Sequence, residues 1–236
     1  MTGTSVDRSD DTLVTCFFKG TPAPPGPSNE PPPSVRVAPS PISPPRFSTA
    51  SVALRLSGRR IVLHGGLSFV LGRQRNCDIV SPQAAKGDDA ARRRSLKVSR
   101  RHCVILRTDL GWCVRDGEGD GHSSFGTWWN GEAVSAPVIF GTAPGMLSLG
   151  GPSAVDSVAF DVRATGATLM LSLRPDAAEC HMLLGGETQL DVADAHLAGF
   201  FTFFADGIFH WRRGGDRGVF VPGTRVPGIV DDFWVE

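Results

Sequence analysis

The stretches SVALRLSG (51–58), RRIVLHGG (59–66), LSFVLGR (67–73), CDIV (77–80), HCVILRTD (102–109), GWCVRDG (111–117) and GTWWNGEAV (126–134) decide the fold class. Each is a short apolar or alternating run, and Gly or a Gly-containing pair stands at most junctions. Several such runs in succession, with turn residues between them, predict an all-β sandwich rather than helices. VAFDVRATGATLMLSLRP (158–175) would add two more strands that turn at Thr165-Gly166. The predicted fold is therefore mainly β, with the sandwich over 51–175.

Two further regions flank it. Residues 22–45 hold 11 of the 18 prolines, which exclude helix and ladder and predict an extended linker. With the short apolar segment DDTLVTCFFKG (10–20), this gives a disordered tail and linker over 1–50. Residues 176–236 predict a small α+β extension. HMLLGGETQLDV (181–192) reads as a hairpin, VADAHLAGFFTFFADG (192–207) as a helix capped by Asp194 and stopped at Gly207, and IFHWRRGGDRGVFVPG (208–223) as a second hairpin.

Composition bounds the function. The 24 basic and 24 acidic residues give zero net charge, which argues against a chain that coats nucleic acid or an anionic membrane. No apolar run reaches the length of a membrane span, and MTGTSVDRSDD does not read as a secretory leader. The five cysteines are scattered without metal-ligand spacing, so no metal and no cofactor is expected, and reduced thiols fit a cytoplasmic setting. With 21 Arg against 3 Lys and many Ala, Gly and Pro, the text suggests a GC-rich bacterial genome. No nucleophile–base–acid constellation is visible, so an enzyme is not expected.

Three signals occur in order inside the β region: LGRQRNCDIV (71–80), VSRRHCVI (98–105) and WCVRDGEGDGHSSFGTWWNGEAV (112–134). Together they resemble the forkhead-associated (FHA) domain, a β-sandwich that binds phosphothreonine peptides, over roughly 51–163. Gly72-Arg73, Ser99-Arg100-Arg101-His102 and Asn130-Gly131 match its pattern. The resemblance implies that Arg73 contacts phosphate or peptide backbone, that Ser99 donates its hydroxyl to the phosphate, and that Arg100 adds a second charge. Ser124 would also reach the phosphate. Gly72, His102, Asn130 and Gly131 would support the binding loops. The physics agrees, because a phosphate carries close to two charges and strong acceptor oxygens and calls for guanidinium and hydroxyl donors on loops of a rigid scaffold.

Two features depart from the family. Phe125 stands where the family has an Asn that holds the peptide backbone. The segment between Asp78 and Ser99 is long and carries Arg92, Arg93, Arg94 and Lys97, which reads either as an electrostatic arm for a phosphorylated or acidic partner or as a solvated insertion. Of the adjacent Trp128 and Trp129, at most one is expected to face the core.

The leading function is recognition of a phosphothreonine-containing protein, as an adaptor in Ser/Thr-kinase signalling. The partner includes, as one option, the chain's own tail, with Thr2, Thr4, Thr12 and Thr15. Two alternatives stand beside it: a phosphate-independent scaffold using a degenerate binding face, and a transcription regulator acting through the C-terminal region. The zero charge splits by region as 4 basic and 4 acidic residues over 1–50, 15 and 10 over 51–163, and 5 and 10 over 164–236. The excess of positive charge thus lies where a phosphate reader needs it.

Overall fold

The computed structural model describes residues 50–236 apart from 57, 83, 85–86, 176–178, 191–198 and 227–233. The expected tail and proline-rich linker, Ala50 excepted, lie outside the described residues. Strands β1 (Ala50–Leu56), β2 (Arg59–Gly65), β3 (Ser68–Gly72) and β4 (Ile79–Val80) precede helix α1 (Asp89–Lys97). Then come β5 (Cys103–Thr108), β6 (Gly111–Asp116), β7 (Thr127–Trp129), β8 (Glu132–Ala133), β9 (Val138–Ile139), β10 (Gly145–Leu149), β11 (Val158–Thr165) and β12 (Thr168–Leu173). The chain closes with β13 (Glu179–Leu184), β14 (Thr188–Gln189), β15 (Phe200–Ala205), β16 (Ile208–Arg213), β17 (Asp216–Val219) and β18 (Trp234–Val235).

Among the described residues these form three sheets: β4-β3-β5-β6-β9, β18-β1-β2-β13-β12-β11-β10-β7-β8, and β14-β15-β16-β17. The mainly β class predicted from the alternating runs is what the chain adopts. A first core fills the space between the five- and nine-stranded sheets. Phe69, Ile105, Trp112 and Val114 from one meet Leu147, Phe160, Leu169 and Leu183 from the other. A second core lies against the four-stranded sheet, where Leu54, Ile61, Leu63 and Met182 meet Phe200, Phe209 and Trp211.

The central strand explains the arrangement. In β13, Leu183 points into the first core, while Cys180, Met182 and Leu184 point into the second. Side chains alternate across a strand, so a strand with cores on both faces must be apolar at nearly every position. ECHMLL meets that demand. β13 pairs antiparallel with β12 and parallel with β2, in the register Leu183↔His64. Its one buried polar side chain is His181, whose Nδ1 lies 3.0 Å from Nε2 of buried His64. Burial and the neighbouring imidazole hold the His64 pKa down to about 3.

Two expectations in the C-terminal region change. The helix expected over 192–207 is a strand where it is described: Phe200–Ala205 forms β15, paired with β14 and β16, and the expected Asp194 cap lies outside the described residues. The phenylalanines divide between two sheet faces instead of encircling a helix. Phe200 and Thr202 are fully buried, and Phe201 and Phe203 lie on the opposite face. Asp206 and Gly207 both have positive φ (52° and 79°), so the expected helix stop is a two-residue hairpin turn. The expected hairpin at 181–192 does not form either, since β14 pairs with β15 and not with β13. Gly185 and Gly186 instead carry the chain between sheets, and a Cβ on Gly185 would sit 2.8 Å from the Ala167 carbonyl oxygen. The β11–β12 turn, the β7–β8 hairpin at Asn130-Gly131 and the β16–β17 hairpin at Gly214-Gly215 form where the turn residues place them.

Among the described residues no helix is long and apolar enough to cross a membrane. Trp112 locks the first core. It is 1% exposed, its indole N–H donates to the Ala167 carbonyl at 3.2 Å, and its ring meets Phe69 at 6.0 Å. We expect Trp112→Ala to lower unfolding free energy by about 3–5 kcal/mol in urea denaturation, the usual range for truncating a buried aromatic. A loss under 1 kcal/mol would contradict this packing.

Candidate functional site

The site lies on the loops that join β3 to β4, α1 to β5 and β6 to β7. Gly72 ends β3, and a Cβ there would meet the Arg100 carbonyl oxygen at 2.3 Å. The glycine therefore lets two loops touch backbone to backbone. The Arg73 amide donates to the Ser99 carbonyl at 3.2 Å and the Gln74 amide to the Arg100 carbonyl at 3.0 Å. The Cys77 thiol donates to the same Arg100 carbonyl at 3.2 Å. Each backbone bond lies inside the range for a normal N–H···O interaction.

His102 ties in the third loop. It is fully buried. Its Nδ1 accepts the Ser99 backbone N–H at 2.9 Å, and its Nε2 lies 3.0 Å from the Gly126 carbonyl oxygen. An accepting Nδ1 carries no proton, so Nε2–H is the donor to Gly126 and the tautomer is set by its partners. Burial holds the His102 pKa below its usual value, against the opposing pull of Gly126 and Asp116. Protonating Nδ1 would remove the acceptor of the Ser99 amide.

Asp116, at the end of β6, organises the β6–β7 loop. Its carboxylate accepts the Ser123 amide at 3.0 Å, the Ser123 hydroxyl at 2.6 Å and the Thr127 hydroxyl at 2.6 Å. His122 Nδ1 stands 3.4 Å away. Burial pushes the carboxyl pKa up, but the Ser123 and Thr127 hydrogen bonds together outweigh it and hold the group below the usual carboxylate range. Sequence reading did not single out Asp116 or Thr127. The available signal was an Asp at a strand end before a Gly-rich turn, where carboxylates often accept loop amides.

The hydroxyls meet where these loops converge. Ser99 Oγ accepts the Ser124 amide at 3.0 Å and lies 3.5 Å from Ser124 Oγ. With an N–H already on its oxygen, the Ser99 hydroxyl can turn its own proton outward. Arg73 and Arg100 flank this point, exposed, and neither forms an ion pair with the described residues. Arg101 is spent otherwise, on an ion pair with Glu118. The structure thus brings the backbones of Arg73, Ser99, Arg100 and Ser124 into one hydrogen-bonded patch and separates Arg100 from its neighbour Arg101 by role.

Phe125 is 55% exposed beside Ser124, and its carbonyl accepts the Trp128 indole N–H at 3.3 Å. Trp128 is thereby half covered by its own loop. Trp129 is half-buried, packs on the first core and meets Phe140 at 4.8 Å. Asn130 (φ 50°) and Gly131 (φ 86°) make the β7–β8 turn, and Asn130 Oδ1 accepts the Met146 amide at 2.8 Å. Arg92 and Arg93 are exposed and Arg94 and Lys97 half-buried, all on α1 immediately before Val98 and Ser99.

The β-sandwich thus carries Arg73, Ser99, Arg100 and Ser124 on adjoining loops at one edge, where scaffolds commonly carry their binding residues. Residues 69–142 match the family model of the FHA domain, so this segment of the chain is an FHA domain. FHA domains are generally phosphothreonine-binding protein-interaction modules, not enzymes. Among solved structures, the chain is similar to the FHA-1 of Rv1747 from Mycobacterium tuberculosis, at 21% identity and TM-score 0.30, covering 48% of this chain and 95% of that one. It is also similar to the Slr1951 protein from Synechocystis sp., at 24% identity and TM-score 0.29, covering 43% of this chain and 88% of that one. No curated protein matches the chain.

The buried histidines set a pH dependence. His64, His102 and His181 all have folded pKa values below that of a free histidine. The unfolded chain therefore takes up protons first as pH falls. Stability is complete above about pH 6.5, where unfolded histidine titrates, and drains below it by at most about 1.4 kcal/mol per pH unit for each histidine. We expect the urea midpoint to drop between pH 7.5 and pH 5. A midpoint constant over that range would show that these rings are not held neutral.

Proposed function

We propose that the FHA domain of this chain recognises phosphothreonine in a protein partner and so acts as an adaptor in Ser/Thr-kinase signalling, in a cytoplasmic setting. The observation that carries the reading is the joined pair Ser99 and Ser124, 3.0 Å apart from hydroxyl to amide, on loops shared with Arg73 and Arg100, which form no ion pair among the described residues. Ser99 and Ser124 donate to phosphate oxygens, and Arg73 and Arg100 supply charge. His102 and Asp116 hold the loops and do not touch the ligand. Gly72, Asn130 and Gly131 give the loops their shape. The chain's own Thr2, Thr4, Thr12 and Thr15 are partner candidates once phosphorylated.

Exposed Phe125 favours a second reading, a phosphate-independent apolar contact with a fixed partner. The two separate in one titration by fluorescence anisotropy, with matched phosphorylated and unphosphorylated threonine peptides. On the first reading only the phosphopeptide binds. Arg73→Ala and Ser99→Ala each weaken it about ten- to a hundredfold, as expected when one charge-assisted hydrogen bond is lost. Equal affinity for both peptides, with loss on Phe125→Ser alone, would establish the second reading instead.

A further inference from the structure

Helix α1 is not explained by the core. None of its nine residues is buried, and a polar helix of this length is marginal alone. Three local devices hold it. The Asp88 carboxylate accepts the Ala91 amide at 2.8 Å, Asp89 sits in the first turn, and Arg94 and Lys97 sit in the last, each sign at the helix end it favours. Its C-terminal end is then fastened to the site. Lys97 Nζ donates to the Asp156 carbonyl at 3.0 Å. Gly150 leaves room for the Lys97 stem, since a Cβ there would lie 2.5 Å from Lys97 Cβ. The Gly150 amide donates to Gly126 at 3.0 Å, the same carbonyl that receives His102. The next residue, Val98, is fully buried, and Ser99 follows it.

The helix is therefore a rigid projection from the loop that holds Ser99. Its solvent side presents Arg92 and Arg93 with Leu96, which is 63% exposed. Neither arginine forms an ion pair with the described residues, although Asp89 stands four positions before Arg93. Arg55, Arg60, Arg101, Arg174 and Arg212 elsewhere are all paired. Asp88 and Asp89 lie three to five positions before Arg92 and Arg93, about 4.5–7.5 Å along the axis by its rise, so they offset part of that charge. Four cations, Arg92, Arg93, Arg94 and Lys97, stand against these two acids, so the segment keeps an excess of positive charge toward the end that leads into Ser99.

We propose that α1 is a second recognition element, which reads acidic side chains flanking the phosphothreonine on the partner peptide. The proposal rests on the phosphothreonine reading and names the class of peptide. Successive helix residues point about 100° apart, so Arg92, Arg93 and Arg94 fan outward and do not converge on one small anion. Such a fan suits carboxylates spread along an extended chain better than a second phosphate. Exposed Leu96, one turn on from Arg92 and Arg93, adds apolar contact to the same face.

The test uses the full chain and the double variant Arg92→Ser/Arg93→Ser, with Lys97 kept because it anchors the helix. Anisotropy compares phosphothreonine peptides with neutral flanks, with three acids before the phosphothreonine and with three acids after it, together with unphosphorylated versions of each. The expected result is about three- to tenfold tighter binding of one acid-flanked phosphopeptide over the neutral one at low salt, the scale of two exposed ion pairs. The double variant removes that gap, 0.5 M NaCl closes it, and the neutral phosphopeptide is unaffected. No acid preference overturns the proposal, and so does equal loss for all phosphopeptides, which would make α1 a support for the loop. Salt-sensitive binding of a single-stranded oligonucleotide in preference to every peptide, lost in the double variant, also overturns it. Failure of the underlying reading looks different: phosphorylated and unphosphorylated neutral peptides then bind alike, whatever the α1 result.

Discussion

A neutral imidazole with both nitrogens engaged holds the binding face together. His102 accepts the Ser99 amide through Nδ1 and donates to the Gly126 carbonyl through Nε2, and it is fully buried while doing so. The two loops it joins come from different strands, and the ring is the rigid spacer that sets their separation. Because each nitrogen has a defined role, the ring works in one protonation state and one orientation. Ser99 can then accept the Ser124 amide, and the Gly72 loop can lie against the Arg100 carbonyl without a side chain between them. Asp116 does the corresponding task within the β6–β7 loop. Loops tied in this way are preorganised and need no ordering when a ligand arrives.

The scaffold beneath depends on the double burial of β13. A parallel pair with β2 and an antiparallel pair with β12 place this strand in the middle of the nine-stranded sheet. Its two faces feed separate cores, one shared with the FHA segment and one shared with the four-stranded sheet. At the chain's end, Val235 is buried and pairs with Leu54, and Glu236 bonds Arg55 and Arg60. The C-terminal strands therefore complete the apolar covering of β1 and β2.

Much of the β segment was legible in the text. Alternating runs marked the strands, and Thr165-Gly166 and Asn130-Gly131 marked turns whose geometry glycine and asparagine favour. Arg73, Ser99, Arg100 and Ser124, which the structure places on adjoining loops, stood out through their order along the chain. The C-terminal region was less so. FFTFF satisfies a helix with apolar residues all round and equally a strand with aromatic residues on both faces, and periodicity alone does not separate the two. The partner strand β16 decided the matter, with the register Phe201↔Arg212 and Phe203↔His210. Likewise, Gly185-Gly186 reads as a hairpin turn locally but serves as a crossing between sheets.

By itself the sequence determined the β class, the turns set by glycine and asparagine, and the identity of the hydroxyl and guanidinium side chains on the loops. These follow from short-range sterics and from patterns a few residues long. Tertiary structure alone decided which of those side chains form ion pairs among the described residues. Arg100 and Arg101 are neighbours in the chain, yet Glu118 takes only the second. His102 is a brace because Ser99 and Gly126 reach its two nitrogens, and α1 stands beside the site because Lys97 packs on Gly150. Arg101 with Glu118 and His102 with Gly126 lie 17 and 24 positions apart, and Lys97 meets Gly150 across a still longer stretch of chain, so no local pattern encodes these contacts.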